Sequence, residues 1–198
     1  GKKFIRFRLR DKDYGGCASD RVARHRAPYW ERAELKQSTF LSFNKKYQLK
    51  FKVRFVQGFI GQRESFWQMH ASGNSCRAGP PIMIKMTGGK LNINPRGVRA
   101  NKPGGGSSPI YSNIAMDDLV GKWVRFKLVL DTSERARISL FLNDEIIFEQ
   151  IPYWIQRCGS PHFKFGIYRP GSLNKNRMSV VDFDEIKLKV LDEEYVSK

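Results

Sequence analysis

The chain has 198 residues, of which 40% are hydrophobic and 13% aromatic, so it can form a hydrophobic core and is not a wholly disordered chain. Lys and Arg total 36 against 19 Asp and Glu, a formal charge of +17 that indicates a polyanionic partner. A nucleic acid, an anionic membrane surface and an acidic polysaccharide all fit this charge. Because the sequence has no run of about 18 apolar residues, it predicts no membrane span.

The length and the even composition predict one domain over residues 1–198. Gly1, Lys2 and Lys3 lead directly into strand-like sequence, so no signal peptide is visible at this end. The three cysteines, at positions 17, 76 and 158, allow at most one disulfide. Their spacing fits no zinc motif.

Apolar and polar residues alternate with a period of two, which predicts antiparallel strands with one buried face. In chain order, the clearest strands are residues 5–9, 47–55, 124–128, 138–142 and 186–190. Turn signals containing Gly, Asn–Asp or Pro–Gly separate such segments. The best helix candidate is short, at 113–120, and a flexible loop is expected at 101–109. We therefore expect an all-β fold, a two-sheet antiparallel β-sandwich of the jelly-roll, concanavalin-like type.

The cations lie on strand faces, with one set on residues 6, 8 and 10 and another on residues 50, 52 and 54. A charged alternate face is commonly just solvated. Several such faces in one sheet would instead form a broad electropositive groove for an extended polyanion.

The segment WERAELK at 30–36 predicts a strand with Arg32, Glu34 and Lys36 on one face. In such an arrangement Glu34 gives structural support by orienting Arg32, and the remaining positive charge faces outward. A plain surface charge ladder across neighbouring strands is the alternative.

The segment FWQMH at 66–70 places Gln68 and His70 on one face of a strand. Gln can donate a hydrogen bond to a carboxylate oxygen, and His can accept a proton near neutral pH. Taken alone, this short pattern is more typical of a structural histidine.

The segment HFKFGIYR at 162–169 has an apolar face and an opposite face that carries Lys164 and Tyr168. Gly166 lies between these two residues, and we expect it to leave an opening that a sugar ring can approach.

Together the three segments provide the groups that β-elimination at a uronate requires. The carboxylate beside the weakly acidic C5 proton must be neutralised, and the developing enolate must be stabilised. A base must remove the proton, and an acid must protonate the departing glycosidic oxygen. We expect Gln68, Arg32 and Lys36 to serve the carboxylate and His70 and Tyr168 to transfer the protons.

The same segments resemble the signatures of jelly-roll polysaccharide lyases, which include alginate, glucuronan and heparinase-type lyases. Alginate lyases carry R-(S/T)-E-L-R, Q-(I/V)-H and Y-F-K-A-G-x-Y strands, and this chain has RAELK, QMH and HFKFGIY in the same order. The GIYR ending, an early FRLRD and a late VDFDEI are closer to the heparinase and glucuronan lyase branch. Lys36 and His162 depart from the alginate pattern, which has Arg and Tyr there. Because Lys lacks the bidentate fork of Arg, the preferred sugar epimer stays open.

The resemblance spans about residues 4–190 and implies that His70 and Tyr168 form the catalytic pair. Substrate-binding residues would be Arg32, Lys36, Gln68, Lys164 and Arg169. The expected substrate is a 1,4-linked, uronate-containing anionic polysaccharide, such as glucuronan, alginate or a glycosaminoglycan. We expect a secreted or periplasmic monomer with no cofactor. A loop could hold a structural Ca²⁺, but no D-x-D-x-D-G calcium pattern is present, so no catalytic metal is predicted.

Three other functions remain as alternatives. A non-catalytic lectin would bind an acidic glycan without cleaving it, but binding alone needs no proton-transfer pair. A nucleic-acid-binding role is less favoured because no nucleic-acid motif is present. A glycoside hydrolase needs paired carboxylates in its cleft. Glu31 and Glu34 are poor candidates for such a pair, since they point to opposite faces of one strand.

Overall fold

The computed structural model describes residues 3–22, 28–59, 61–72, 79–98, 101–102, 105–171 and 177–191. In this part of the chain, two six-stranded antiparallel sheets form a β-sandwich, so the predicted all-β fold is confirmed. The strands are β1 (Ile5–Leu9), β2 (Trp30–Lys36), β3 (Lys46–Phe55), β4 (Glu64–Ser72), β5 (Ile82–Thr87), β6 (Lys90–Pro95), β7 (Ile110–Ala115), β8 (Trp123–Asp131), β9 (Arg135–Leu142), β10 (Glu145–Trp154), β11 (Ser160–Pro170) and β12 (Ser179–Leu191). A single turn of 3₁₀ helix covers Ala18–Arg21, and a single turn of α-helix, α1, covers Met116–Leu119.

The order of the strands brings distant parts of the sequence together. The first sheet has the order β1-β12-β3-β8-β9-β10, and the second has the order β2-β11-β4-β5-β6-β7. Because β11 lies between β2 and β4, the three motif segments of the sequence are neighbours in the second sheet.

The core lies between the sheets and is built from the apolar residues of each alternating strand. Phe51 of β3 stacks on Phe126 of β8 with ring centroids 5.4 Å apart and meets Phe165 of β11 edge-on at 5.6 Å. Trp67 and Phe163 of the second sheet are also buried in this cluster. Since successive strand residues face opposite sides, the alternate residues of β2, β4 and β11 lie on the face that points away from the core.

The predicted helix at 113–120 is correct only in its second half. Residues up to Ala115 belong to β7, where Ala115 pairs with Lys90 of β6, so their backbone groups serve the sheet. The helix begins at Met116, and Asp118 caps it by accepting a hydrogen bond of 3.0 Å from the Ala115 backbone N–H.

The cysteines agree with the expected limit of one disulfide. Cys158 is disulfide-bonded, and Cys17 is an exposed free thiol. Cys76 lies outside the described residues.

Within the described residues, no helix is long and apolar enough to cross a membrane.

Gly166 corrects one prediction, because the space above it is filled by the neighbouring strand and is not open to a sugar. A Cβ atom on Gly166 would lie 2.1 Å from the Ala33 backbone oxygen and 2.7 Å from the Glu34 Cα. Its φ of +132° is also a conformation that L side chains rarely adopt. Glycine at this position therefore lets β2 and β11 approach each other.

We expect Gly166→Ala to lower the free energy of unfolding by at least ~3 kcal/mol. Strained backbone and overpacking each cost about 1–3 kcal/mol, and the clashing atoms here are backbone atoms that cannot rotate away. Urea unfolding would measure this change. Gly16→Ala is the matched control, since a Cβ there meets nothing within 4 Å, and it should change stability by less than about 0.5 kcal/mol. Equal stabilities for the two variants would contradict the close approach.

Candidate active site

Strand register places most of the predicted site residues on one face of the second sheet. Tyr168 of β11 pairs with Arg32 of β2, and Lys164 pairs with Lys36 on one side and with Gln68 of β4 on the other. The apolar residues that alternate with them, including Phe163, Phe165 and Ile167, are buried in the core. We call this outward surface the active face. It is formed by Trp30, Arg32, Glu34, Lys36, Gln68, His70, His162, Lys164 and Tyr168.

Tyr168 is half-buried and held by two neighbours from β2. The Trp30 indole stacks on its ring with centroids 5.0 Å apart and planes 19° apart. The Arg32 guanidinium carbon lies 4.6 Å from the centroid of the same ring, a cation–π distance. Trp30 is a site residue that the sequence analysis missed, although its position two residues before Arg32 already placed it on the same face.

Arg32 is fixed by two carboxylates. Its Nε and Nη2 donate to the two carboxylate oxygens of the buried Asp20 at 2.9 and 3.0 Å, and its Nη1 lies 3.3 Å from Glu34 Oε2. Burial lowers the pKa of Arg32, but Glu34 and Asp20 outweigh it, so the net shift is upward. Asp20 comes from the 3₁₀ turn, and no pattern in the sequence connected it with this site.

Glu34 contacts both Arg32 and Gln68. The Gln68 Nε2 donates to Glu34 Oε1 at 2.5 Å. Burial raises the pKa of Glu34, against the opposing effects of Arg32, Lys164 and Gln68. Since Gln68 is only 1% exposed, its predicted contact with substrate requires a change in its side-chain position and stays a prediction.

His70 carries its ring proton on Nδ1. Its Nδ1 lies 3.0 Å from the Ala71 backbone oxygen, which can only accept a hydrogen bond, so Nδ1 carries the proton and Nε2 has the free lone pair. Burial, followed by the charges of Lys164 and His162, lowers the pKa of His70 to about 4. The imidazole is therefore uncharged at neutral pH.

His162, one of the two residues that depart from the alginate lyase pattern, stacks on His70. Their ring centroids are 5.6 Å apart and their planes differ by 30°. Burial, with the charges of Lys36 and Lys164, lowers the pKa of His162 to about 4. The end of the active face that carries the two histidines is therefore neutral, whereas Lys164 and Lys36 carry positive charge beside it.

The two predicted catalytic residues stand towards opposite ends of the active face. Tyr168 pairs with Ser65 of β4, five residues from His70. At about 3.3 Å per residue, their Cα atoms are roughly 16 Å apart along the strand. To act on one sugar, both side chains must reach inward towards Lys164.

Arg169 is a second correction, because its side chain does not lie on the active face with the other predicted substrate-binding residues. Its side chain is fully buried on the core side of β11, where Nε bonds to Glu31 at 2.5 Å and Nη1 bonds to Glu64 at 3.0 Å. Nη1 also donates to the Ser179 hydroxyl at 2.7 Å. The prediction failed because residue 169 follows Tyr168 directly and so points to the opposite face of the strand.

The cationic strand faces seen in the sequence also do not form this site. Arg6 and the cations of β3 belong to the first sheet, on the other side of the sandwich. Arg6 and Arg54 both bind the buried Asp182, at 2.7 Å each. The charge of the active face comes instead from β2 and β11.

In the described part of the chain, no group of three or more His, Cys, Asp or Glu side chains could hold a metal ion.

Comparisons with known proteins agree with this architecture. An endo-β-1,4-glucuronan lyase from the fungus Trichoderma reesei superposes with a TM-score of 0.68 at 13% identity, covering 96% of this chain and 82% of the lyase. The family 7 alginate lyase A1-II' gives a TM-score of 0.61 at 10% identity, covering 94% and 95% of the two chains. The alginate lyase PA1167 from Pseudomonas aeruginosa gives a TM-score of 0.54 at 16% identity, covering 84% of this chain and 77% of the lyase. At these identities the likeness shows the shared β-sandwich.

A comparison with curated proteins gave no match. The model of one protein family, described as polysaccharide lyase, matches residues 1–187, nearly the whole chain. With this match and the sandwich fold, the chain belongs to the polysaccharide lyase family.

Proposed function

We propose that this polysaccharide lyase cleaves a 1,4-linked, uronate-containing polysaccharide by β-elimination. The active face supports this proposal, because a neutral imidazole with a free Nε2 and a tyrosine share one surface with cationic side chains. The glucuronan and alginate lyases that share the fold support the choice of a uronate polymer.

Lys164 and Lys36 are the cations best placed to neutralise the substrate carboxylate. Arg32 already contacts two carboxylates through three of its nitrogens, which leaves it mainly to position Tyr168. Lys164 is half-buried between the strands that carry Arg32 and His70, and burial lowers its pKa. Lys36 is more exposed, and its Nζ lies 4.7 Å from the Phe40 ring centroid.

The reaction assigns one proton to each catalytic residue. The His70 Nε2 accepts the C5 proton while the neutralised carboxylate stabilises the developing enolate. The electron pair then forms the C4–C5 double bond as the C4–O4 bond breaks. The Tyr168 hydroxyl gives its proton to the departing O4. Where the C5 hydrogen and O4 lie on the same side of the ring, Tyr168 can perform both transfers.

If His70 is the base, activity should persist into acid. Protonation of Nε2 blocks proton abstraction, so kcat/KM should fall as the pH decreases through about 4, the pKa of His70. An ordinary histidine would place this fall near pH 6.5. The pH profile of kcat/KM, compared with an NMR titration of the His70 ring, measures both quantities. A half-maximal point near pH 6.5, or an imidazole that titrates there, would contradict the assignment.

The function itself is tested by incubating the protein with glucuronan, alginate and glycosaminoglycans and recording ultraviolet absorbance. β-Elimination leaves an unsaturated uronate at each new non-reducing end, and this conjugated group absorbs where the substrate does not. Hydrolysis would produce new ends without this absorbance. Binding of an acidic polymer with no increase in absorbance would favour the lectin alternative.

We also propose that the protein works in an oxidising compartment, outside the cell or in a periplasm. The disulfide bond of Cys158 supports this setting, because structural disulfides persist mainly in such compartments.

A further inference from the structure

The first sheet, on the opposite side of the sandwich from Tyr168, carries an aligned set of lysines. Lys50 of β3 pairs directly with Lys127 of β8 on one side and with Lys187 of β12 on the other. The neighbours of Lys50 in sequence, Leu49 and Phe51, are buried in the core, so all three lysines face outward. We call Lys50, Lys127 and Lys187 the lysine row.

This alignment is unfavourable for the protein alone. Neighbouring strands lie about 4.8 Å apart, and like charges directly opposite each other are destabilising. Neither Lys50 nor Lys187 has a carboxylate partner within the ranges that the structure describes. The Lys127 ammonium lies 3.8 Å from the centroid of the Phe141 ring.

The nearby carboxylates are already engaged by other cations. Asp144 binds Arg125 at 2.9 Å, and Glu185 binds Lys52 at 2.6 Å. These two ion pairs and the lysine row line a shallow groove of about 190 Å³. The groove therefore contains five cationic and two anionic side chains, so a net positive charge remains for an external anion.

We propose that the lysine row is a second, non-catalytic binding site for an acidic polysaccharide. Three outward-facing ammonium groups on adjacent strands of one sheet fit a chain with one carboxylate on each sugar, because ammonium groups act as point charges without a strict geometry. The position of the site follows from this sheet alone, whereas the choice of an acidic glycan rests on the proposed function. A polymer held here raises the local concentration of its other segments at the active face.

The test compares two triple variants, each made in a Tyr168→Phe protein so that the polymer stays intact. The first combines Lys50→Gln, Lys127→Gln and Lys187→Gln. The second, a control with the same loss of charge, combines Lys45→Gln, Lys90→Gln and Lys122→Gln, three exposed lysines outside the groove. Binding of glucuronan and of a DNA duplex is measured by calorimetry at several salt concentrations.

Loss of the lysine row should weaken glucuronan binding about tenfold, since each exposed ion pair contributes roughly twofold. The salt dependence of binding should also decrease, and the control triple should bind within about twofold of its parent. With Tyr168 restored, the lysine-row variant should cleave short oligouronates at the parent rate and long polymers more slowly.

Three results would overturn the proposal: unchanged glucuronan binding by the lysine-row variant, equal weakening in the control, or equally tight binding of the DNA duplex. The proposed function can fail separately. A protein that cleaves no uronate polymer, but loses glucuronan affinity when the lysine row is removed, would refute the lyase chemistry and support the second site.

Discussion

Replacing Tyr168 with Phe should reduce turnover of a uronate polymer at least ~10²-fold. General acid–base groups typically contribute about 10²–10⁴-fold, and this change removes the transferable proton. The ring itself remains, so its stacking on Trp30 at 5.0 Å and its contact with Arg32 should persist. Glycan binding should therefore change by no more than about twofold. Ultraviolet absorbance of unsaturated ends measures kcat, and calorimetry at the same pH measures binding.

The control for this experiment is Tyr111→Phe, which makes the same chemical change on β7, an edge strand of the same sheet. Its turnover should remain near that of the parent protein. If Tyr168→Phe retained parental turnover on a verified substrate, Tyr168 would not be the acid. If both variants lost activity equally, the effect would not be specific to the proposed proton transfer.

Replacing Arg169 with Met should lower the free energy of unfolding by about 3–5 kcal/mol, the usual cost of removing one partner of a buried ion pair. The change leaves Glu31 and Glu64 buried without their shared cation. Burial already raises the pKa of Glu31 despite the Arg169 charge beside it, which shows how unfavourable an isolated carboxylate is there. Unfolding in urea, with glycan binding measured in the folded range, separates the structural effect from any effect on substrate.

Arg169→Lys and Arg8→Met are the matched comparisons. Lysine keeps the charge but lacks the guanidinium fork that reaches Glu31 and Glu64 together, so its cost should be intermediate. Arg8 is exposed on β1, and its replacement should change stability by less than about 0.5 kcal/mol. A stable Arg169→Met protein that no longer binds glycan would restore the substrate-binding role first predicted for this residue.

Local patterns in the sequence were enough to predict the fold class and the segments that form the candidate site. Strict alternation of apolar and polar residues, as in Lys46–Phe55, predicts a strand with one buried face. This rule depends only on neighbouring residues. The same rule placed Arg32, Glu34 and Lys36 on one face of β2, and the structure agrees. By the same rule, Trp30, two residues before Arg32, belongs to this face.

The faces that meet, and the contacts of each side chain, depend on the three-dimensional arrangement of the strands. Alternation gives a strand two faces, but the strand order shows that β2, β11 and β4 share a sheet, whereas the cations of β3 lie on the other sheet. Asp20 reaches Arg32 from a turn with no periodic pattern, and Gly166 is required by a backbone contact with Ala33. Arg169 was predicted to bind substrate, but its buried partners from β2 and β4 hold its side chain on the core side of β11. These contacts join residues far apart in the chain, and their geometry depends on packing between strands, which local sequence patterns do not encode.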